Sequence, residues 1–284
     1  MFSEQKMLPI IDRARRGMQN LPGYFLRQIE RPPLIERELS YRIYLLLKGA
    51  SYSPAHPDLS GVGETLEVKP LRTVSEYNAA VEEVRALGLC PHFHRIKTWD
   101  ALSALKFILN NTGSKSSVLD AGGEIYSPLV EWLYLYGYKD LCVCNIDFEN
   151  DFRRGTVDYR NADFVDQEFQ EDTFDVVVSL SVIEHGLDIQ TTLEEFYRIV
   201  KPGGYLIIST DYWPEKIDTQ DKKTRYGEGV QEWNIFDREE VVDILDMANS
   251  IGFKTPDERE LSVDEQTIEW KDKSYTFIYF ELQA

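Results

Sequence analysis

Basic residues are scarce in this sequence. Lys and Arg number 31 against 49 Asp and Glu, which leaves a formal net charge of −18 over 284 residues. Nucleic-acid affinity rests largely on cations that neutralise phosphates, so this balance argues against a DNA or RNA partner. The run "RARRG" at Arg13–Gly17 reads as the solvated face of a helix. Cysteine is scarcer still: Cys90, Cys142 and Cys144 are too few, and odd in number, for a disulfide framework. No apolar run is long enough to cross a bilayer. The start, "MFSEQKMLPIIDRARRG", lacks an apolar core followed by a small-residue cleavage site. These absences point to a cytoplasmic protein with no membrane insertion. Internal repeats and low-complexity tracts are also missing.

What is present divides at about residue 97. Before it, "FLRQIERPPLIERELSYRIYLLLKG" suggests helices broken at Pro32 and Pro33, and "ASYSPAHPDLSGVGE" reads as a loop. "TVSEYNAAVEEVRALG" is a helix whose Thr73 and Glu76 have capping-box spacing and whose Gly88 can end it. Residues 1–97 are thus expected to form a mainly helical extension. "TWDALSALKFILNNTG" opens the second part as a helix, and from Ser116 strand-like and helical runs alternate. "SVLDAG", "DLCVCNIDF", "FDVVVSLS" and "GGYLIIST" are nearly continuous apolar runs, as a sheet buried on both faces requires. Such alternation implies right-handed crossovers and a doubly wound, mostly parallel Rossmann-like sheet over 98–284. "DREEVVDILDMANSIG" is a last helix capped by Asp237 and Glu240, and "SYTFIYFELQA" a final antiparallel strand.

In open α/β sheets ligands bind beyond the carboxyl ends of the strands. Asp120, Asp147 and Asp163 fall at such ends. Asp147 stands where a dinucleotide fold places its ribose-binding acid, although it could equally cap a loop. After Asp120 come Ala121, Gly122 and Gly123, then Glu124 and Tyr126 where further glycines would stand in a dinucleotide fingerprint. A pyrophosphate needs glycine for close backbone approach, and Glu124 would repel it. Ser127 is the expected N-cap of the next helix, with Pro128 at its first position. The turn suits a phosphate-free nucleoside with a cationic centre better than NAD or FAD. An NAD-dependent sugar enzyme is further disfavoured by the absence of a Tyr-x-x-x-Lys pair after the fourth strand.

Taken in order, "VLDAGGE", "NIDF", "NADFVDQEFQEDTFDVVVSLSVIEHG" and "YRIVKPGGYLIIST" resemble the motifs of class I S-adenosylmethionine-dependent methyltransferases, over Val118–Thr210. Further likeness, in "KTWDALSALKFI", "STDYWPEKIDT" and the closing "YTFIYFEL", is to bacterial methyltransferases of which some are associated with surface-glycan biosynthesis. The resemblance implies S-adenosyl-L-methionine as cofactor and a small-molecule or glycan acceptor. It assigns Asp147 to the ribose hydroxyls, with Phe148 beside it, and Asp163 to adenine, with Phe164 beside the ring. Asp120, Ala121, Gly122, Gly123 and Glu124 would form the first cofactor loop, and Ser179 would line the site near the methyl group. The departure at Glu124 and Tyr126 affects the shape of that loop.

Methyl transfer to an alcohol gains from a general base. His185 is the candidate, since its ordinary pKa suits proton transfer; packing near the cofactor is the other reading of the same residue. Asp211 and Tyr212, after the fifth strand, could face the acceptor, and Trp213 could stack on a sugar or pack in the core. Pro214–Trp233 reads as a solvated loop, either a lid or an insertion. "CPHFH" at Cys90–His94 offers three metal-type side chains with no second cluster, and Glu184 with His185 adds too few, so no metal is expected. Cys142 and Cys144 point to one face of a strand as buried thiols. A non-catalytic binding or regulatory protein on the same fold is the alternative function. A homo-oligomer is compatible with the sequence.

Overall fold

The computed structural model describes residues 36–63, 65–165, 169–226, 229–257 and 259–284, with side chains left undescribed over 223–231. The basic run at Arg13–Gly17 and the Pro32–Pro33 break lie outside them. Strand order in the main sheet is β1-β11-β7-β6-β2-β3-β5-β4. The strands are β1 (Val68–Pro70), β2 (Ser117–Ala121), β3 (Asp140–Cys144), β4 (Phe152–Arg154), β5 (Val157–Arg160), β6 (Phe174–Leu180), β7 (Val200–Tyr212) and β11 (Lys273–Gln283). The four pairings from β7 to β5 are parallel, whereas β11 runs antiparallel to β7. β2 feeds β3 on one side and has β6 on the other, so strand order reverses between β2 and β6. That crevice is where a ligand is expected.

Alternation along each central strand sorts the side chains into two cores. Val118, Val176, Val178, Ile207 and Tyr279 face one core; Leu119, Val177, Leu206, Ile208 and Phe280 face the other. The first is covered by α1 (Glu38–Lys48), α2 (Val74–Ala86), α3 (Thr98–Asn111) and α4 (Pro128–Leu135), the second by α5 (Ile189–Ile199) and α6 (Arg238–Ile251). Thr73 caps α2 by accepting from the Glu76 amide, and Asp237 with Glu240 forms a reciprocal capping box on α6. Cys142 and Cys144 are both buried in the second core.

Three local differences from the sequence reading have physical causes. The stretch before residue 97 is not only helical: β1 pairs with β11 and supplies the sheet edge, so the final strand lies one place inward. Strands β4 and β5 are short, and β5 buries only Val157 and Tyr159, a pattern too brief to stand out in sequence. Pro214–Trp233 contains a hairpin of β8 (Lys223–Tyr226) and β9 (Gly229–Glu232) where a loop was expected. A further short strand, β10 (Ile268–Trp270), turns through Lys271 and Asp272 into β11.

An ion pair ties the N-terminal layer to the sheet domain. Lys48 at the end of α1 meets Glu131 on α4 at 2.7 Å, and the Glu131 side chain is only 2% exposed. Removing the cation would strand a buried charge, an effect that outweighs the small worth of an exposed pair. Lys48→Met is therefore expected to lower unfolding stability by about 3 kcal/mol in urea titration. A loss below about 1 kcal/mol would show that the pair does not anchor α1.

Candidate functional site

The turn that follows β2 is closed by contacts that demand glycine. A Cβ on Gly122, at φ +80°, would stand 2.7 Å from both methyl groups of Val182. One on Gly123 would stand 2.4 Å from Asp120 Oδ2. These are the two positions where the backbone must pass close to β2 and to the segment after β6. Beyond them the loop is fixed by side chains rather than by more glycines. Ser127 occupies the N-cap of α4 but does not cap it; its Oγ accepts the Glu124 amide at 2.9 Å, which turns Glu124 back over the loop. The buried Arg154 of β4 donates through Nη1 to the Ile125 carbonyl at 2.9 Å. Tyr126 packs edge-on to Phe93, with ring centroids 4.7 Å apart, and so joins the loop to the Cys90–His94 segment.

Asn145, at the end of β3, holds this turn to the next loop. Its side-chain amide donates to the Gly122 and Gly123 carbonyls at 3.2 and 3.1 Å, and its Oδ1 accepts the Asp147 amide at 2.9 Å. One buried side chain thereby sets the spacing between the glycine turn and Asp147.

These elements enclose a cavity at the strand ends. Asp120 lines it from the end of β2, Gly122 and Glu124 from the first loop, Asn145 and Ile146 from the second, Asp163 and Phe164 from the third, and Leu180, Ser181, Val182 and His185 from the end of β6 and the segment after it. Phe164 stacks on Phe196, and Asp163 Oδ1 accepts the Val165 amide at 3.0 Å. The N-terminal side supplies His92, Lys97 and Asp100. A second cavity adjoins the first and shares His92, Lys97, Tyr126 and His185 with it. Its other walls include Phe93, Trp270, Tyr275, Glu184 and Asp211.

Not every expected residue reaches a cavity wall. Tyr212 is fully buried in the second core and donates its hydroxyl to the Leu261 carbonyl at 2.7 Å, because β7 continues through it and turns it away from Asp211. Ser179 is likewise enclosed inside β6, and at this strand end the serine that reaches the first cavity is Ser181, at φ +56°. Ala121 is buried within β2, and Phe148 packs on Phe152 and Tyr159. Asp147 is exposed at the rim beside Ile146. Asp211 does line the second cavity, where its Oδ2 accepts from Trp233 Nε1 at 2.7 Å. Trp213 packs with Trp233, Ile235 and Tyr275. Among the described residues, no group of three or more His, Cys, Asp and Glu side chains is placed to hold a metal ion. In the "CPHFH" segment His92 Nδ1 accepts the His94 amide at 2.9 Å, and the Cys90 carbonyl accepts from Trp132 Nε1.

The electrostatics of the site follow from burial. Burial pushes Asp120 up to about 7, helped by Asp100 and Glu124, and pushes Asp100 up to about 6. Burial, then Asp147, raises Glu124. Asp211 rises to about 7 through burial, and Glu184 rises through burial and the nearby Asp211 charge. Burial, followed by the Lys97 charge, lowers His92 and His185 to about 3, so both imidazoles are neutral at pH 7. His185 Nε2 lies 3.9 Å from Glu184 Oε1. The site thus gathers carboxyl groups short of positive partners, a setting that favours a cationic guest.

Residues 130–208 match the family model described as a methyltransferase domain. A sterol 24-C-methyltransferase of Kluyveromyces lactis is 22% identical over 262 residues, which cover 84% of this chain and 69% of that protein. An arsenite methyltransferase of Aquipseudomonas alcaligenes is 32% identical over 110 residues, covering 37% of this chain and 28% of that one. Among solved structures, an S-adenosylmethionine-dependent methyltransferase from Mesorhizobium loti aligns with 65% of this chain and 98% of its own, at 14% identity and a TM-score of 0.45. The domain match marks an S-adenosylmethionine-dependent methyltransferase, and the strand order and glycine turn form the kind of crevice in which an open α/β sheet seats its ligand. S-adenosyl-L-methionine is its cofactor, and the cavity fits it: the turn is as tight as two glycines permit, and its acids match a sulfonium and an ammonium.

The raised acids make a pH prediction. A carboxyl whose folded pKa lies above its ordinary value contributes stability that is full below the ordinary pKa and is lost as pH rises through the folded one. For Asp120 that window runs from 3.8 to about 7. Asp120→Asn should therefore gain stability relative to wild type by at least about 1 kcal/mol between pH 5 and pH 8, read by denaturation at each pH. A pH-independent gap between the two proteins would contradict the burial of that charge.

Proposed function

We propose that this chain transfers a methyl group to a hydroxyl oxygen of a small molecule seated in the second cavity, a glycan precursor being the class that its walls suit. The observation that carries this reading is the meeting of two cavities at His185. The aromatic side chains Phe93, Tyr126 and Trp270, each partly exposed on the wall of the second cavity, offer faces on which a sugar ring can stack.

S-adenosylmethionine supplies a methyl group already activated on a sulfonium centre, so the residues of this chain need to bind, align and exclude water. In the proposed arrangement Asp147 accepts from the ribose hydroxyls at the rim, while Asp163 and Phe164 hold the adenine. Asp120 and Glu124 face the cationic amino-acid end across the Gly122–Gly123 turn. Burial lowers His185 to about 3, away from the ordinary value expected of a base. In this reading the neutral imidazole therefore takes the proton late, from the acidic oxonium left once the acceptor oxygen has bonded the methyl carbon and the carbon–sulfur bond has broken. Glu184 Oε1, 3.9 Å from Nε2, lies within reach of the imidazolium that results.

Calorimetry with S-adenosylhomocysteine tests the cofactor assignments. Asp147→Ala should weaken binding about 10- to 100-fold, the worth of hydrogen bonds to a charged group, and unchanged affinity would remove Asp147 from the site. The acceptor reading is tested by S-adenosylhomocysteine release across a panel of hydroxylated glycosides and their amino counterparts. His185→Asn should lower kcat on the responding acceptor about 100-fold or more while leaving S-adenosylhomocysteine affinity within about threefold. Turnover confined to the amines, or an unchanged kcat, would reject a hydroxyl acceptor served by His185.

A further inference from the structure

One cation stands apart from the acids that surround it. Lys97 closes the short 3-10 turn Arg95–Lys97 immediately before α3, and it is half-buried. It lines both cavities, and among the described residues it is the only Lys or Arg on the wall of the first. No ion pair within 4 Å engages its ammonium among the described residues. Its charge nevertheless reaches across the whole site, drawing Asp100, Glu124, Glu184 and Asp211 downward and pressing His92 and His185 lower.

The amino-acid end of S-adenosylmethionine carries an ammonium and a carboxylate. The ammonium meets a wall rich in acids, but the carboxylate would be repelled by every charged group of the first cavity except one. We infer that Lys97 is the binding partner of the cofactor's carboxylate and thereby fixes its amino-acid end at the wall shared by the two cavities. The inference rests on the cofactor reading above and adds a direction to it. With the carboxylate at Lys97 and the adenosine toward Asp163 and Phe164, the sulfur between them is directed to the His185 side, where the acceptor cavity begins. Lys97 would also separate the charge of the cofactor's carboxylate from Glu184 and Asp211, so that a full first cavity does not repel the carboxyls of the second. Sequence reading gave this lysine no role, since it stands upstream of the first strand and belongs to no glycine-containing motif.

Two ligands separate this role from a general electrostatic one. S-adenosylhomocysteine carries the amino-acid end, whereas 5′-methylthioadenosine keeps the adenosine and a thioether but has no carboxylate. Calorimetry on the full chain is expected to show Lys97→Met weakening S-adenosylhomocysteine about 10- to 100-fold while 5′-methylthioadenosine changes by less than about threefold. Lys97→Arg should recover most of the lost affinity, because a guanidinium also pairs with a carboxylate. The unchanged thioadenosine affinity would also certify that the variant is folded at the site. Equal losses for both ligands, in Lys97→Met and in a second variant, Lys97→Gln, would overturn the inference, as would an undiminished S-adenosylhomocysteine affinity. If wild type bound neither ligand, the cofactor reading itself would fall; wild-type binding with an indifferent Lys97→Met would remove only the lysine.

Discussion

Asn145 is the residue on which the geometry of the site turns. Its amide reaches back to two carbonyls of the glycine turn, and its oxygen reaches forward to the Asp147 amide. Three hydrogen bonds from one buried side chain couple two loops that follow neighbouring parallel strands. Those strands fix where each loop starts, since Gly122 also donates its amide to the Cys144 carbonyl. What the strands leave open is the angle at which each loop departs, and Asn145 closes it. A buried amide whose bonds are all made is rigid, because breaking any one leaves a polar group without water. The proposed ribose and amino-acid subsites are therefore tied together through one side chain.

The second organising feature is a shortage of positive charge. Asp100, Asp120, Glu184 and Asp211 are all less than 5% exposed, yet the cations around them are few. Burial holds their carboxyls well above the usual range, and the two neighbouring histidines are held neutral by the same burial. A site of this kind stores unfavourable desolvation that a cationic ligand relieves on binding. It also explains why a glutamate is tolerated in the first loop, where a phosphate-binding turn would exclude it. The feature that first resembles damage to a fingerprint is consistent with a ligand of opposite charge.

Much of this was legible in the residues, and the limits have physical causes. Apolar runs such as Val176–Val178 announce a buried parallel strand because both faces are covered, and the capping pairs of α2 and α6 are local signals that tertiary structure left intact. Strands β1 and β5 escaped because each is short and borrows its stability from a partner distant in sequence. Asp211 and Tyr212 read from sequence as residues after the fifth strand, either of which could face the acceptor; β7 in fact runs through both, and alternation sends their side chains to opposite faces. Ser179 stands two residues before the serine that does reach the cavity, again a matter of where a strand ends. Asn145 stands in "NIDF", and Lys97 and Asp100 in "KTWDALSALKFI", yet nothing local to those runs assigns the three a role. Their significance comes from contacts across 22 residues, for Asn145 and Gly123, and across 109, for Asp100 and Ser209.

The central claim is that the crevice between β2 and β6 seats the cofactor so that its sulfur faces the second cavity. A crystal structure of the full chain with S-adenosylhomocysteine measures this directly. The account predicts the ribose against Asp147, the adenine beside Asp163 and Phe164, and the sulfur on the His185 side of the wall between the cavities. A ligand seated in the crevice with its sulfur turned away from His185, or one bound outside the crevice altogether, would contradict it.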